Sequence, residues 1–337
     1  MRLPAMAFAL VLALSSPGRQ LPGAQPAPQP TFQEWLTGVR AEALQKGISE
    51  ATLDKALTDL EPLPVVVERD RTQAELVLTL DQYLKRRLKA VTIRTARREA
   101  KEHATILKKV GAAYGVPPGV IVAIWGLESN YGRFSGVRPT IATLATLAYD
   151  PRRSAMFREE LFDALKILDN GDIDLESMRG SWAGALGQPQ FMPSSFLQFA
   201  QDFDGDGKRD IWKSMPDVFA SIANYLKEHG WTRGQIWGRE VKVPTQVVNR
   251  LVEIAPLQTE GCLAQRQMTV ALPLLRWREL GVKTLAGGPL PKASIDASMV
   301  SAGRRHFLLY ANYKALLDYN CVHAYGLSVA LLSDKLR

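Results

Sequence analysis

The chain has 337 residues, of which 46% are hydrophobic and 23% charged, and its formal net charge is +8. This composition is typical of a globular protein and excludes a disordered or collagen-like chain. The length allows two domains or one large domain with insertions. The modest basic excess favours an anionic partner, and no nucleic acid partner is predicted.

The N-terminus has the pattern of an export signal. Arg2 precedes an apolar run from Ala5 to Leu14, and Ser15-Ser16-Pro17 follows it. The run is too short to span a bilayer, so we predict a cleaved signal peptide at 1–24 and a Pro- and Gln-rich tether at 25–31. No cysteine lies close to the end of this run, and we therefore expect an exported soluble protein without a lipid anchor and not an integral membrane protein.

Apolar spacing predicts mostly helices, arranged in three regions. An N-terminal helical region is predicted at 32–110, a core at 111–240, and a C-terminal α+β region at 241–337. The fold class is therefore mainly α (α+β), because strand and loop patterns appear only after Trp231. The basic run Arg86 to Arg98 is interpreted as a solvated helix face.

Three individual helices are also predicted. The pattern indicates a helix at Pro151 to Leu168, a helix that starts at Pro193, and a final amphipathic helix at Ala324 to Leu336.

One acid stands where a core residue is expected. Four residues at positions i, i+3, i+4 and i+7 share one helical face: Ile121, Ile124, Trp125 and Glu128. Pro117 and Pro118 suit the first turn of this helix, and Ser129 to Gly132 form a plausible end. Glu128 should therefore lie in the last turn.

That position predicts an unusual acid. Apolar neighbours and the negative end of the helix dipole both disfavour a carboxylate, so the pKa of Glu128 should be raised. A raised pKa is what a general acid needs near neutral pH. The alternative is a structural Glu whose tip reaches solvent or pairs with Arg133 or Arg138.

A block rich in small residues runs from Gly180 to Ser195. Such residues let a polymer approach the backbone closely, and Ser181 and Gln190 could then bond its amides and hydroxyls. The alternative is a tightly packed helix junction.

Three motifs in order resemble the membrane-bound lytic transglycosylase B family. They are the segment 125–132, the block 180–195, and Asn224-Tyr225-Leu226 with His229-Gly230-Trp231. The resemblance covers the chain from about Phe32 onward. It implies a lysozyme-like helical catalytic core with added helices and a small β-sheet, and a soluble periplasmic enzyme acting on peptidoglycan glycan strands. The reaction implied is cleavage of the bond between N-acetylmuramic acid and N-acetylglucosamine, with formation of a 1,6-anhydro sugar.

The resemblance also implies residue roles. Glu128 would be the single catalytic acid and base, and Ser181 would polarise the muramyl N-acetyl group. Gln190 and Met192 would line the cleft. Tyrosines suited to stacking on sugar faces are also implied, although core packing is the alternative for each: Tyr83, Tyr225, Tyr319 and Tyr325.

Two other functions stay open. A muramidase that hydrolyses the same bond would need a second carboxylate across the sugar, and the nearest in sequence, Asp150 and Glu176, lie in no recognisable motif. A noncatalytic protein that binds peptidoglycan or calcium is the other alternative.

A calcium-type loop is predicted at 202–213. Its metal positions 1, 3, 5, 7 and 9 are Asp202, Asp204, Asp206, Lys208 and Asp210, with Gly207 at position 6 for the sharp turn. Position 12 is Lys213, so Ca²⁺ binding should be weak or should recruit another group. A simple Asx-rich turn is the alternative. The cation would be structural, and no organic cofactor is expected.

The cysteines and histidines add little. Cys262 and Cys321 could form a disulfide in an exported protein or remain two buried thiols. The histidines have no metal-ligand spacing, so no catalytic zinc is indicated: His103, His229, His306 and His323.

Overall fold

The computed structural model describes residues 30–71 and 78–336. The predicted signal peptide and all but the end of the tether lie outside the described residues. Within the described ranges, no single helix is long and apolar enough to cross a membrane. Two consecutive helices, Ala104–Tyr114 and Pro118–Ser129, have the necessary length and composition only when taken together, and they meet at 110°.

Helices make up most of the described chain, as the sequence predicts. In the N-terminal half they are α1 (Phe32–Gln45), α2 (Glu50–Leu57), α3 (Pro64–Arg71), α4 (Leu80–Arg87), α5 (Ala90–Glu102), α6 (Ala104–Tyr114), α7 (Pro118–Ser129), α8 (Thr140–Tyr149) and α9 (Ser154–Asp169). In the C-terminal half they are α10 (Pro193–Phe199), α11 (Met215–Glu228), α12 (Thr245–Asn249), α13 (Leu251–Ile254), α14 (Leu263–Arg266), α15 (Leu274–Glu279), α16 (Ala311–Tyr319) and α17 (His323–Asp334).

The strands form two antiparallel sheets. A two-stranded ribbon pairs β1 (Arg138–Pro139) with β2 (Arg179–Gly180). A five-stranded sheet has the order β4-β6-β7-β3-β5 and consists of β3 (Gly238–Lys242), β4 (Leu272–Pro273), β5 (Lys283–Thr284), β6 (Asp296–Ala302) and β7 (Arg305–Leu309). A mainly helical protein with a small sheet is thus confirmed.

Two predicted helices begin at different residues from those expected. The helix predicted at Pro151 starts at Ser154, because 151–153 form a turn. The last helix starts at His323, one residue early. Helix α8 was not indicated by the sequence pattern, since residues 140–148 are all buried and leave no polar face to reveal the helical period.

Buried side chains form three clusters. The first surrounds α7, which packs against α5, α6, α11 and α17. The second joins α1, α2, α8, α9 and α10, and the third lies between the five-stranded sheet and α15. Because α7 is packed on several sides, it is apolar nearly all round, which explains why an acid on it stands out. The division of the chain at residues 110 and 240 stays a prediction.

A disulfide joins Cys262 to Cys321, two residues with Cα atoms 6.3 Å apart. It ties the start of α14 to the segment between α16 and α17, and it settles the alternative that the sequence left open.

Candidate active site

Glu128 lies in the last turn of α7, as predicted. Ile121 and Ile124 on the same face are fully buried, and Trp125 is 3% exposed. Pro117 occupies the N-cap position, while Asn130 caps the C-terminus in the left-handed conformation. The helix therefore begins at Pro118 and brings the acid to the edge of the main core.

The turn after Glu128 is unusual. Asn130, Tyr131 and Gly132 have successive positive φ angles of 50°, 61° and 75°, which are uncommon for residues other than glycine. Ser129 stabilises this turn, since its Oγ donates to the Trp125 carbonyl at 3.1 Å and accepts from the Gly132 amide at 3.0 Å. Backbone held in such a conformation is characteristic of functional sites.

Two glycines permit this close packing. A Cβ on Gly126 would lie 2.5 Å from the Tyr131 ring, and a Cβ on Gly132 would lie 2.5 Å from the Gln188 side-chain oxygen. The same Gln188 oxygen accepts a 2.6 Å hydrogen bond from Trp125 Nε1. These contacts join the end of α7 to the block 180–195.

A cavity of about 790 Å³ opens beside Glu128. Its lining comes from α4, α5, the end of α7 and the following turn, and includes Tyr83. Among the described residues that line it, Glu128 is the only carboxylate. Sugar-sized ligands require a space of this order.

Burial raises the pKa of Glu128 from 4.5 to about 7, and interactions with the Tyr325 hydroxyl and with the charge of Arg87 oppose this rise. Within the described part of the chain, no cationic nitrogen lies within 4.0 Å of the carboxylate. Arg133 lines the cavity without pairing, and Arg138 belongs to β1. The ion-pair alternative is therefore not what the structure shows.

Three of the four predicted tyrosines form a buried layer next to Glu128. The rings of Tyr225 and Tyr319 have centroids 4.7 Å apart, and Tyr319 stacks on Tyr325 at 6.1 Å. Burial and the charge of Glu128 raise the pKa of both Tyr319 and Tyr325. The Tyr325 hydroxyl makes no well-aligned hydrogen bond to any described residue, so it is free to turn toward Glu128 or a ligand.

The other two tyrosine hydroxyls have backbone partners. Tyr225 Oη donates to the Asp318 carbonyl, and Tyr319 Oη donates to the Pro189 carbonyl, both at 2.7 Å. The second bond connects the tyrosine layer to the block 180–195. Tyr83 is separate from this layer and lies on the cavity wall.

Within the block, Ser181 and Gln190 are half-buried. Ser181 Oγ accepts hydrogen bonds from the Ala183 and Ala185 amides, which leaves its proton available to a ligand. Gln190 has a positive φ of 55°, and its Nε2 donates to the Gly187 carbonyl at 2.9 Å, so its side-chain oxygen remains an acceptor.

Met192 is the N-cap residue of α10 and is also half-buried. Neither it nor Ser181 nor Gln190 lines the 790 Å³ cavity; all three belong to the block that the Trp125 and Tyr319 bonds hold against the Glu128 region.

The carboxylates nearest in sequence lie elsewhere. Asp150 ends α8 and accepts hydrogen bonds from Arg152. Glu176 is exposed on a separate surface beside Arg179. Neither reaches the Glu128 cavity.

The acidic loop brings together a set of carboxylates that differs from the predicted calcium ligands. Oxygens of Asp202, Asp204 and Asp217 lie within 4.8 Å of one another, and Asp217 belongs to α11. Asp206 and Asp210 are outside this group. Their carboxylates instead accept backbone amides, from Lys208 for Asp206 and from Trp212 and Lys213 for Asp210.

The chemistry of this donor set suits a hard cation such as Ca²⁺, which prefers carboxylate oxygens. Asp217 is fully buried, and it adds to this group an acid from outside the predicted loop, which has Lys213 at position 12. Burial raises the pKa of Asp217, and the nearby Asp204 adds to this, while amides of Phe203 and Asp210 oppose it. Lys208 could contribute only its backbone carbonyl.

Several residues at the site were missed from the sequence. Arg86, Arg87 and Lys89 line the cavity, although their basic run was interpreted as a solvated face; Arg94 and Arg98 in the same run do not line it. Gln188 was also missed. A Gln two residues before Gln190 in the same block was the available signal, but its bond to Trp125 depends on tertiary contact.

A family model described as the transglycosylase SLT domain matches residues 31–334. The chain is 42% identical over 134 residues to membrane-bound lytic murein transglycosylase B of Escherichia coli. That match spans 40% of this chain and 37% of the relative.

Solved structures are similar over most of the chain. SltB3 from Pseudomonas aeruginosa, in complex with NAG-anhNAM-pentapeptide, has a TM-score of 0.83 and 42% identity, covering 90% of this chain and 79% of that one. The lytic transglycosylase SLT35 of Escherichia coli, in complex with calcium, has a TM-score of 0.72 and 26% identity, covering 92% and 93%. These similarities confirm the family resemblance and the lysozyme-like fold that it implies.

Proposed function

The chain belongs to the transglycosylase SLT domain family, and from that premise we propose that it is a lytic transglycosylase of peptidoglycan. It cleaves the β-1,4 bond between N-acetylmuramic acid and N-acetylglucosamine and leaves a 1,6-anhydro-muramyl end. The observation that carries this proposal is the solitary Glu128, whose pKa is raised to about 7 beside a sugar-sized cavity.

In the proposed mechanism, Glu128 acts first as an acid. The neutral carboxyl gives its proton to the glycosidic oxygen while the bond from that oxygen to muramyl C1 breaks. The muramyl 6-hydroxyl then forms a bond to C1, and the Glu128 carboxylate takes the hydroxyl proton. One carboxylate serves both steps because the substrate itself supplies the nucleophile.

The proposed roles of the neighbours follow from their free hydrogen-bonding groups. Ser181 Oγ already accepts two amides, so its hydroxyl can donate to the N-acetyl carbonyl and orient it toward C1. The Gln190 oxygen is an acceptor for a sugar hydroxyl, and Met192 supplies an apolar surface. Tyr83 offers a ring to a sugar face on the cavity wall.

The buried tyrosine layer has a second proposed role. Tyr225, Tyr319 and Tyr325 keep water from one side of Glu128, which maintains its raised pKa. The free hydroxyl of Tyr325 can stabilise Glu128 after proton transfer, since interaction with it favours the ionised form.

Digestion of purified peptidoglycan sacculi tests the reaction. Mass spectrometry should show anhydro-muramyl ends, which are lighter by one water than the reducing ends that a muramidase would leave. Reducing ends would contradict the proposal and favour the hydrolase, and intact strands would favour a noncatalytic binding protein.

Two variants test whether Glu128 is the catalytic acid. Glu128→Gln should slow product formation by about a hundredfold or more. Glu176→Gln, at an exposed carboxyl outside the cavity, should leave it unchanged. Loss of activity in Glu176→Gln would support a second catalytic carboxylate.

We also propose a structural Ca²⁺ held by Asp202, Asp204 and Asp217, supported by their convergence and by the calcium complex of SLT35. The protein acts in the periplasm after export, a location supported by the predicted signal peptide. Protease accessibility in spheroplasts tests that location.

A further inference from the structure

One wall of the Glu128 cavity is strongly basic. Arg86 and Arg87 at the end of α4, Lys89 before α5, and Arg133 after α7 all line it. Glu128 is the only acid among the described lining residues, and burial raises its pKa to about 7, so it carries only part of a negative charge near neutral pH. The described lining of the cavity therefore carries a net positive charge.

The described residues leave most of this charge without an ion-pair partner. Lys85 on the same helix pairs with Asp81 at 2.8 Å, and Arg98 pairs with Glu99 at 2.6 Å. By contrast, Arg86, Lys89 and Arg133 have no carboxylate within 4.0 Å in the part of the chain that the structure describes. Unpaired cations gathered at a concave site favour an anionic ligand.

Arg87 is held in position by Tyr83. Its guanidinium lies over the Tyr83 ring, 5.5 Å from the centroid, and its Nε donates to Tyr83 Oη at 3.1 Å. Its two terminal nitrogens make no hydrogen bond within the described residues. A planar fork fixed in this way is suited to a carboxylate.

Apolar side chains accompany the cations. Val91 and Phe134 line the same cavity although they are 56% and 69% exposed. A wall that combines exposed apolar groups with cations matches a peptide with aliphatic side chains and free carboxylates better than it matches a sugar.

We propose that this basic wall binds the carboxylates of the peptide carried by the glycan strand, so that peptide-bearing strands with free carboxylates are the preferred substrate. The inference rests on the proposed function and deepens it. In such strands the sugars are uncharged and the carboxylates lie on the peptide, so the peptide is the part of the substrate that can satisfy this wall. The SltB3 complexes contain pentapeptide ligands, which shows that a similar protein holds such molecules.

Calorimetry on the inactive Glu128→Gln protein provides the test, because it measures binding without turnover. The two probes are a disaccharide-pentapeptide with free carboxylates and the same molecule with every carboxylate converted to carboxamide. The test variant adds Arg86→Gln, Arg87→Gln, Lys89→Gln and Arg133→Gln. The matched control adds Arg94→Gln, Lys101→Gln, Lys108→Gln and Lys109→Gln, which remove the same charge from exposed positions outside the cavity.

The carboxylate probe should bind about tenfold more tightly than the carboxamide probe, as expected for a few solvent-exposed charge pairs. The test variant should lose this preference, the control variant should keep it, and added salt should reduce it.

Equal binding of both probes, or a preference that survives in the test variant, would contradict the inference while leaving the proposed function intact. Failure of both probes to bind would instead contradict the proposed function.

Discussion

Two regions of this protein use carboxylates in opposite ways. Glu128 stands alone at the end of an apolar helix, with no cation within 4.0 Å in the described chain and with a pKa raised to about 7. In the loop before α11, Asp202, Asp204 and Asp217 have oxygens within 4.8 Å of one another. The same chemical group is isolated in one region and concentrated in the other.

The neighbours explain the difference. Around Glu128 the apolar core offers little to replace the water lost by the ionised form, so the neutral acid is favoured. In the loop, the carboxylates lie close together, and the backbone amides of Gly205 and Gly207 donate to Asp202. The first environment favours the protonated acid. The second is the one for which we proposed a metal cation, because clustered carboxylates repel each other without one.

The largest effect is expected from removal of the isolated acid. Glu128→Gln keeps the shape of the side chain but cannot release a proton, so kcat should fall by about a hundredfold to ten-thousandfold. Release of soluble muropeptides from sacculi measures this loss. Asp206→Asn, a change in the other acidic region, is the matched control, and near-normal turnover by Glu128→Gln would remove Glu128 from the mechanism.

The isolated acid should also make stability depend on pH. The folded-state pKa of about 7 lies above the ordinary value of 4.5, so the folded protein holds a proton that the unfolded chain releases between these pH values. The stability that this proton confers is fully present below pH 4.5 and is lost as the pH rises through 7. The free energy of unfolding of Glu128→Gln relative to wild type should therefore be greater at pH 8 than at pH 4 by about 3 kcal/mol.

Chemical denaturation at the two pH values measures this difference. Glu176→Gln, at an exposed carboxyl, should retain the wild-type pH dependence. A Glu128→Gln variant that shows the same pH dependence as wild type would mean that the acid is not desolvated.

The isolated acid could be predicted from the sequence more fully than the acidic cluster could. The position of Glu128 follows from a local pattern, since the spacing of Ile121, Ile124 and Trp125 and the flanking prolines define one helix. Asp217 escaped prediction because it lies outside the loop spacing and reaches Asp202 only after α11 folds against the loop.

The basic wall was not predicted from the sequence for the same physical reason. Arg86 and Arg133 are 47 positions apart in sequence, and only the packing of α4 and α5 against the end of α7 brings both to one cavity. A charge run on a helix shows which residues avoid the core. It does not show which of them face a concave surface.

The acidic cluster should respond to calcium with a moderate effect. Ca²⁺ at tens to hundreds of times its Kd should raise the free energy of unfolding by about 1 to 3 kcal/mol. Asp204→Asn should lose most of this gain, because it removes a charged ligand while its side-chain oxygen can still accept the hydrogen bond from Ser214 Oγ. Thermal melts in calcium and in chelator measure the gain.

Asp206→Asn distinguishes the ligand set seen in the structure from the ligand set predicted from the sequence. Asp206 lies outside the convergent group, so this variant should retain most of the calcium gain. If Asp204→Asn and Asp206→Asn lose the calcium gain equally, the ligands predicted from the loop spacing would be supported instead. If wild type melts at the same temperature in calcium and in chelator, a metal site would be excluded.

The smallest effect concerns the tyrosine layer beside the isolated acid. Interaction with the Tyr325 hydroxyl lowers the pKa of Glu128, so Tyr325→Phe should raise that pKa further and move the fall in activity to higher pH. The shift should be smaller than the one that burial produces, because burial is the larger cause. Tyr319→Phe is the matched control: its hydroxyl donates to the Pro189 carbonyl, so its loss should lower stability without a comparable shift in the pH profile. An unchanged profile in Tyr325→Phe would mean that the Tyr325 hydroxyl does not influence the proton affinity of Glu128.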